Sequence, residues 1–347
     1  MCPRGFFLPP ILLTLIGLLT AGCVESQAPV APAADHHLHL QSRRAADVLV
    51  RLKLQFKEPV EPGDRMVVGA AEAIGALDAA LIRKGVVVSA AYLLGTSDIV
   101  VADEYQAVQE ENDWTAAEAR RYPGRLVGFC SVNPLKDYAE VEVSRCAAIG
   151  LGGLKLHFTN SAVDLRDADH VKRVRRVFAA ANANRLPMLV HMRTRARSYG
   201  AREAETVLAQ VLPAAPDVPV VLAHMSGWGG FDRATDGSLG AFSAACAARS
   251  PVCRHLLFDL AFTVLPAGAA DATPGSSLRS LADAQRDLPD ANERLVRHIR
   301  KIGVDRIVFG SDWPGMSPLD AQDAMRRQLP IARKELTQIF SNVAPCF

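Results

Sequence analysis

The stretch Asp35-His36-His37-Leu38-His39-Leu40 holds three imidazoles and a carboxylate within five residues. In an extended strand, side chains two apart share a face, so His37 and His39 aim two imidazoles at one place, where a divalent ion can sit. A surface histidine tract that binds metal adventitiously is the competing reading. Further ligand types recur at the ends of short apolar runs: Lys155 and His157 in Gly153-Leu154-Lys155-Leu156-His157, His191 in Leu189-Val190-His191, His224 in Leu222-Ala223-His224, and Asp312 in Phe309-Gly310-Ser311-Asp312. Taken singly, His191 or His224 reads as a satisfied core histidine; taken together they form one constellation. Neutral imidazoles with a carboxylate suit zinc first among the borderline divalent ions, and an open coordination position lets such an ion lower the pKa of water from about 15.7 to about 7.

Other residues after the same runs are candidates for shaping a substrate pocket. Arg193 and Arg195 can fork onto a substrate carboxylate, or else form a solvated basic loop that caps a helix. Trp228 and Trp313 offer flat faces to a planar substrate, against the alternative of packing under a loop. Tyr92, Asn133 and Asn160 are hydrogen-bonding candidates.

Elements able to bring these positions together are legible in the pattern. Runs rich in Val, Ile, Leu and Phe predict strands at about 34–40, 86–94, 126–132, 152–158, 187–192, 218–224, 255–261 and 306–311. Ala- and Arg-rich stretches between them predict helices near 66–84, 103–121, 137–149, 167–184, 201–212, 236–249, 289–302 and 318–341. In one of these, Val174, Val177, Phe178 and Ala181 share a face while Lys172, Arg173, Arg175 and Arg176 lie elsewhere. Eight strand-then-helix units predict an α/β fold, a (β/α)8 TIM barrel, whose chemistry gathers at the carboxyl ends of its strands. The alternative is a doubly wound open sheet; the Gly-rich phosphate-binding turn that would favour it does not follow the first strand. Two segments are expected to roof the site: the insert from Gln41 to Asp64, and the Gly/Ala/Pro/Ser-rich loop from Pro266 to Leu278.

The set Asp35-x-His37-x-His39, Gly153-Leu154-Lys155-Leu156-His157, His191, Leu222-Ala223-His224 and Gly310-Ser311-Asp312-Trp313-Pro314 resembles the amidohydrolase superfamily. Within it, the likeness is to the amidohydrolase-related branch that includes aminocarboxymuconate-semialdehyde decarboxylase and lactone hydrolases. The resemblance implies that His37, His39, His191 and Asp312 ligate one divalent metal, with His224 facing the reacting carbonyl or carboxylate or serving a second ion. It leaves Lys155 open: some members carry a carbamylated lysine there that bridges two metals, while this branch more often holds one. Asp312 would then orient water, take its proton and return it to a leaving group. His224 would polarise the carbonyl or hold the oxyanion, a contribution of about 3 kcal/mol for one well-placed donor.

The chain has 347 residues, 49% of them hydrophobic and 22% charged, which excludes disorder and supports a sizeable core. A formal charge of +2 leaves no footprint for nucleic acid, so the expected partner is a small molecule. Residues 1–22 read as a signal peptide: Arg4 is followed by an apolar run from Phe6 to Leu19, too short for a comfortable membrane span. Leu19-Thr20-Ala21-Gly22-Cys23 resembles the lipobox of bacterial lipoproteins, which implies cleavage before Cys23 and acylation of it; an ordinary signal peptide or an uncleaved anchor is the alternative. Residues 23–33 read as a tether and 34–347 as the barrel, placed in the cell envelope, lipid-anchored to membrane and facing the periplasm. No short C-x-x-C spacing marks a thiolate metal site. Cys246 and Cys253, near a helix end and the loop after it, form a candidate disulfide in an oxidising compartment.

The functional expectation is a metal-dependent hydrolase of small-molecule amide, ester or lactone bonds. A decarboxylase on the same scaffold is the first alternative, and a non-catalytic solute-binding lipoprotein the second. A ligand set spread over one barrel speaks against the two-lobed form that solute-binding proteins take.

Overall fold

Apolar runs buried on both sides form eight strands: β1 (Ala34–His39), β2 (Lys84–Val88), β3 (Leu126–Ser131), β4 (Gly153–His157), β5 (Met188–His191), β6 (Val220–Leu222), β7 (Leu256–Asp259) and β8 (Ile307–Val308). Each pairs in parallel with the next, in sequence order. The segment after β8 closes the sheet onto β1: His36 donates its backbone N–H to Phe309 O at 3.0 Å, Asp312 to His37 O at 2.9 Å, and His39 to Trp313 O at 2.7 Å. With helices between the strands, this is the expected (β/α)8 barrel. The computed structural model describes residues 30–345, and its barrel unit begins at Ala31. The export segment and Cys23 lie outside the described residues.

Alternation along the strands divides the interior from the shell. Val86, Val88, Phe129, Leu189, Val221 and Val308 meet inside the barrel, while Val87, Cys130, Leu154, Leu156, Val190 and Leu222 pack outward against the helices. Gly153 is required by this packing, because a Cβ there would meet the Phe129 ring at 2.4–2.5 Å. Phe129 thus fills the barrel beneath Lys155, the next residue of β4 on that face. Burying such a side chain contributes about 1.5–3 kcal/mol.

A register shift in β1 between Asp35 and Leu38 turns consecutive histidines to different partners. His36 binds Phe309 O through Nδ1 at 2.8 Å and accepts the Ala344 N–H at Nε2, 3.0 Å. It secures the C-terminal segment to the barrel, leaving His37 and His39 for the site.

Several boundaries depart from the sequence-based expectations. The insert expected between Gln41 and Asp64 contains a helix, Arg43–Gln55, capped by Ser42 and burying Ala45, Ala46, Val48 and Leu52, followed by a 3-10 turn, Pro62–Arg65. The strand expected to reach residue 94 ends at Val88, and Ala91–Leu94 is a helical turn. The single helix expected over 318–341 is two, Pro318–Gln328 and Arg333–Ser341, separated where Pro330 lacks the N–H a continuing helix needs. Beyond the Pro266 loop stands an extra helix, Ser277–Arg286, without a fully buried residue. Cys246 and Cys253, expected as a disulfide, are free thiols. Among the described residues no helix is long and apolar enough to cross a membrane.

Candidate metal centre and cleft

Three of the four expected ligands converge directly. His37 Nε2 lies 3.1 Å from His39 Nε2, and Asp312 Oδ1 lies 3.3 Å and 3.1 Å from those two atoms. Donors about 2.0–2.1 Å from a tetrahedral ion stand roughly 3.3–3.5 Å from one another, so this spacing fits one ion. His37, His224 and Asp312 also offer donor atoms all within 4.8 Å of one another. His191 stands on the neighbouring wall, its ring 4.9 Å from that of His224, and its buried Nε2 has no hydrogen-bond partner among the described residues. A buried, unsatisfied imidazole nitrogen facing such a set fits a metal ligand, and the donors present suit a divalent ion.

Neighbours fix which nitrogen of each ring faces inward. Asp259 Oδ2 lies 3.0 Å from His37 Nδ1, and Ala261 O lies 2.7 Å from His224 Nδ1. A carboxylate and a carbonyl only accept, so both rings carry a proton on Nδ1 and turn the Nε2 lone pair to the centre. In this tautomer His224 turns a lone pair, not an N–H, to the centre, so holding an oxyanion would require a second proton on Nε2. Asp259 was not among the sequence candidates. It also accepts the backbone N–H of His224 at 2.7 Å, tying β7 to both histidines.

Lys155 is fully buried with Nζ 2.7 Å from His37 Nε2. Burial brings its pKa down to about 8. Burial likewise lowers His37, His39 and His191, favouring neutral imidazoles able to ligate. Burial by itself would raise the Asp312 carboxyl, but positive charge shared by facing His37, His224 and His39 outweighs it and lowers the group; with those rings neutral, as ligands, that charge would come from the ion. Buried Asp35 rises to about 7 for want of solvation, although Oδ1 accepts the backbone N–H groups of His37 and Ser311.

The site is held by backbone that most residues avoid. His224, Met225 and Ser226 have φ of 53°, 51° and 69°, and Asp312 has 66°. Each left-handed residue costs about 1–3 kcal/mol, so surrounding bonds must hold it. Tyr199 Oη donates to Ser226 O at 2.6 Å, and the His224 and Asp312 N–H groups bond Asp259 and His37 O as above.

A cleft of about 460 Å³ opens over these groups, bordered by His39, His157, His191, His224, Trp228 and Asp312 together with Tyr92 and Asn160. His157 is more than the strand-end marker it was in the sequence. Its ring stacks on His191 at 4.0 Å and on Tyr92 at 4.9 Å, because β4 and β5 place His157 and His191 in register. Trp228 stands at the mouth, 43% exposed, edge-on to His191 at 5.1 Å.

The other pocket candidates separate. Arg193 does not border the cleft: its Nη1 lies 2.9 Å from both oxygens of Asp232. Trp313 packs on the main core and bridges Leu38. Both are placed away from the substrate role expected of them. Arg195 reaches a side pocket with Trp228 and Asn160, lies over the Phe56 ring at 4.9 Å and is bound by Asp98 at 2.8 and 2.5 Å. Asn133 instead bonds Gly95 O beneath the loops.

A family model described as amidohydrolase matches residues 34–342. No curated protein matches the chain. Among solved structures, 5-carboxyvanillate decarboxylase LigW from Sphingomonas paucimobilis is similar with a TM-score of 0.61 and 15% identity, over 89% of this chain and 96% of that one. The 5-carboxyvanillate decarboxylase of Novosphingobium aromaticivorans, complexed with manganese and 4-hydroxy-3-methoxy-5-nitrobenzoic acid, gives 0.58 and 13%, over 90% and 94%. A probable 2-pyrone-4,6-dicarboxylic acid hydrolase from Acinetobacter baumannii, with citric acid bound, gives 0.52 and 19%, over 89% and 96%.

Proposed function

The chain belongs to the amidohydrolase family, and from that premise we propose that it is a metal-dependent hydrolase cleaving an amide, ester or lactone bond of a small molecule. The observation that carries this reading is the mutual approach of His37 Nε2, His39 Nε2 and Asp312 Oδ1 within 3.1–3.3 Å at the floor of an open cleft. His37, His39, His191 and Asp312 would hold the ion, which supplies Lewis acidity and brings water within reach of deprotonation near neutral pH.

The chain's own groups then divide the proton traffic. Ionised Asp312 takes a proton from water as its oxygen attacks the carbonyl, and returns it to the departing nitrogen or oxygen. His224 keeps its Nδ1–H on Ala261 O and turns Nε2 to the reacting carbonyl, where a proton on that nitrogen would be presented to the oxygen on which charge develops. Trp228, His157 and Tyr92 border the substrate with flat faces, which suits a planar molecule.

A second reading, decarboxylation of a small carboxylic acid, is favoured by the similarity to the two 5-carboxyvanillate decarboxylases. The same acid and base serve it if the proton goes to the carbon that loses carbon dioxide. Turnover of a panel of esters, lactones, amides and hydroxybenzoic acids, with and without chelator, separates the readings: acid release supports hydrolysis, and carbon dioxide release supports decarboxylation. Chelator-insensitive turnover counts against the metal-dependent mechanism in both readings, and no turnover from metal-loaded protein favours a binding protein. We further propose that the chain is exported and anchored by lipid on Cys23.

A further inference from the structure

The cleft does not end at the histidines. A second chamber of about 710 Å³ adjoins it, and both are bordered by Trp228, Asp312, Pro314 and Gly315. One wall of this chamber comes from the extra helix, Ser277–Arg286, which buries none of its residues fully although Leu278 and Leu281 face inward. Phe262 and Met316 supply further apolar surface, and Gly229 lies so close beneath that a Cβ there would meet Phe262 at 3.0 Å and Leu281 at 3.2 Å.

The polar groups along the chamber's far walls already have partners. Lys53 bonds Asp64 at 2.8 Å, Glu61 accepts the Ser277 N–H at 3.0 Å, and Ser317 bonds Asp320 at 2.6 Å. The Glu61 contact also joins the two roofing segments. What remains for a ligand is the apolar surface of Phe262, Leu278, Leu281 and Met316, next to the carboxylate proposed as the reacting base.

We infer that the substrate has two parts: a carbonyl or carboxylate head at the histidine cluster, and an apolar arm that passes Trp228 into the chamber walled by Leu278, Leu281, Phe262 and Met316. This rests on the proposed carbonyl-processing site and assigns Leu278 and Leu281 to specificity rather than to chemistry. A preformed concave chamber of this size accommodates an arm of several carbons. Each buried methylene is worth about 0.8 kcal/mol, a gain of roughly fourfold in affinity.

The test is calorimetric titration of the metal-loaded full chain with linear carboxylates of four, six, eight and ten carbons. Kd should fall by roughly fourfold per methylene until the chamber is full. Leu281→Trp, which fills the chamber, should flatten this series while leaving four-carbon binding within twofold. Because Leu281 is not fully buried, the fold should survive; Leu278→Trp, at a position likewise only partly buried, gives a second filling variant, and thermal unfolding checks both. A wild-type Kd independent of length, no binding of the ten-carbon acid, or an unchanged gradient in folded filling variants overturns the inference. A gradient that is lost in those variants, in a protein that turns over no ester, amide or acid, leaves the chamber assignment standing and removes the enzymatic reading instead.

Discussion

His37 and Asp259, 222 residues apart, meet inside the barrel with Nδ1 3.0 Å from Oδ2. The carboxylate fixes the imidazole tautomer and its rotation, so that Nε2 faces His39 and Asp312. Both side chains are fully buried, which leaves no water to take over the contact.

Replacing Asp259 by Asn removes the charge and lets an amide N–H face Nδ1, which favours the opposite tautomer and turns a proton toward the ion. Metal affinity should fall by about 10–100-fold, the usual cost of losing such a partner. Competition with a chromogenic chelator reads this directly. Affinity within twofold of wild type would show that Asp259 does not orient the ligand.

His224 is poised between two roles. If it acts as an acid beside one ion, His224→Asn should keep metal bound through the other ligands while kcat falls by about 100-fold. If its inward lone pair ligates instead, as its approach to His37 and Asp312 permits, metal content falls with rate. Metal analysis and steady-state kinetics on one preparation distinguish the two. Near wild-type turnover would remove His224 from the chemistry.

Lys155 decides between one metal and two. Its amine bonds His37 Nε2 at 2.7 Å within a fully buried position. A single-ion protein should bind about one equivalent of metal and gain nothing from bicarbonate; a carbamylated Lys155 would raise both stoichiometry and bicarbonate response. We expect one equivalent, because His191 and Asp312 then complete the site begun by His37 and His39. Two equivalents in protein of full activity would reverse that assignment.

The proposed anchor is tested at Cys23. Cys23→Ser should abolish acylation and move the protein from the membrane to the soluble fraction after cell disruption, with activity retained. Membrane association unchanged by the substitution would point to the apolar run itself as an anchor, or to another lipid-binding surface.

The barrel and much of its site were legible because parallel strands buried on both faces read as apolar runs, and a residue that interrupts such a run at its end stands out. His191 and His224 were visible for that reason. Asp259 was passed over because the run Leu256-Leu257-Phe258-Asp259 ends in an acid, as runs leading into loops often do, and nothing nearby marks its partner. The roofing helix shows in Ala45, Val48 and Leu52, whose spacing puts them on one face, but so short an amphipathic run inside an insert does not stand out from the eight strand-then-helix units. The arginines were ambiguous for another reason. Arg193 and Arg195 differ in function only through Asp232 and Asp98, and pairings 39 and 97 residues distant leave no local trace.

That difference is measurable for Arg193. Asp232 accepts the Thr235 N–H at the start of its helix as well as the Arg193 guanidinium, and both charged side chains are about one-fifth exposed. Burial alone would raise the Asp232 pKa, but Arg193 and Thr235 reverse this and lower it. A carboxyl depressed in the folded state adds stability above its unfolded pKa, and that stability is lost as pH falls through the folded value. Arg193→Ala should therefore destabilise the protein by about 1–2 kcal/mol at pH 7 through the half-buried carboxylate left behind. The deficit should shrink below about pH 4, as protonation removes the charge that needed the partner. Denaturant unfolding of both proteins from pH 7 to pH 3, with KM measured at pH 7, checks the assignment. A large rise in KM with no loss of stability would return Arg193 to the substrate.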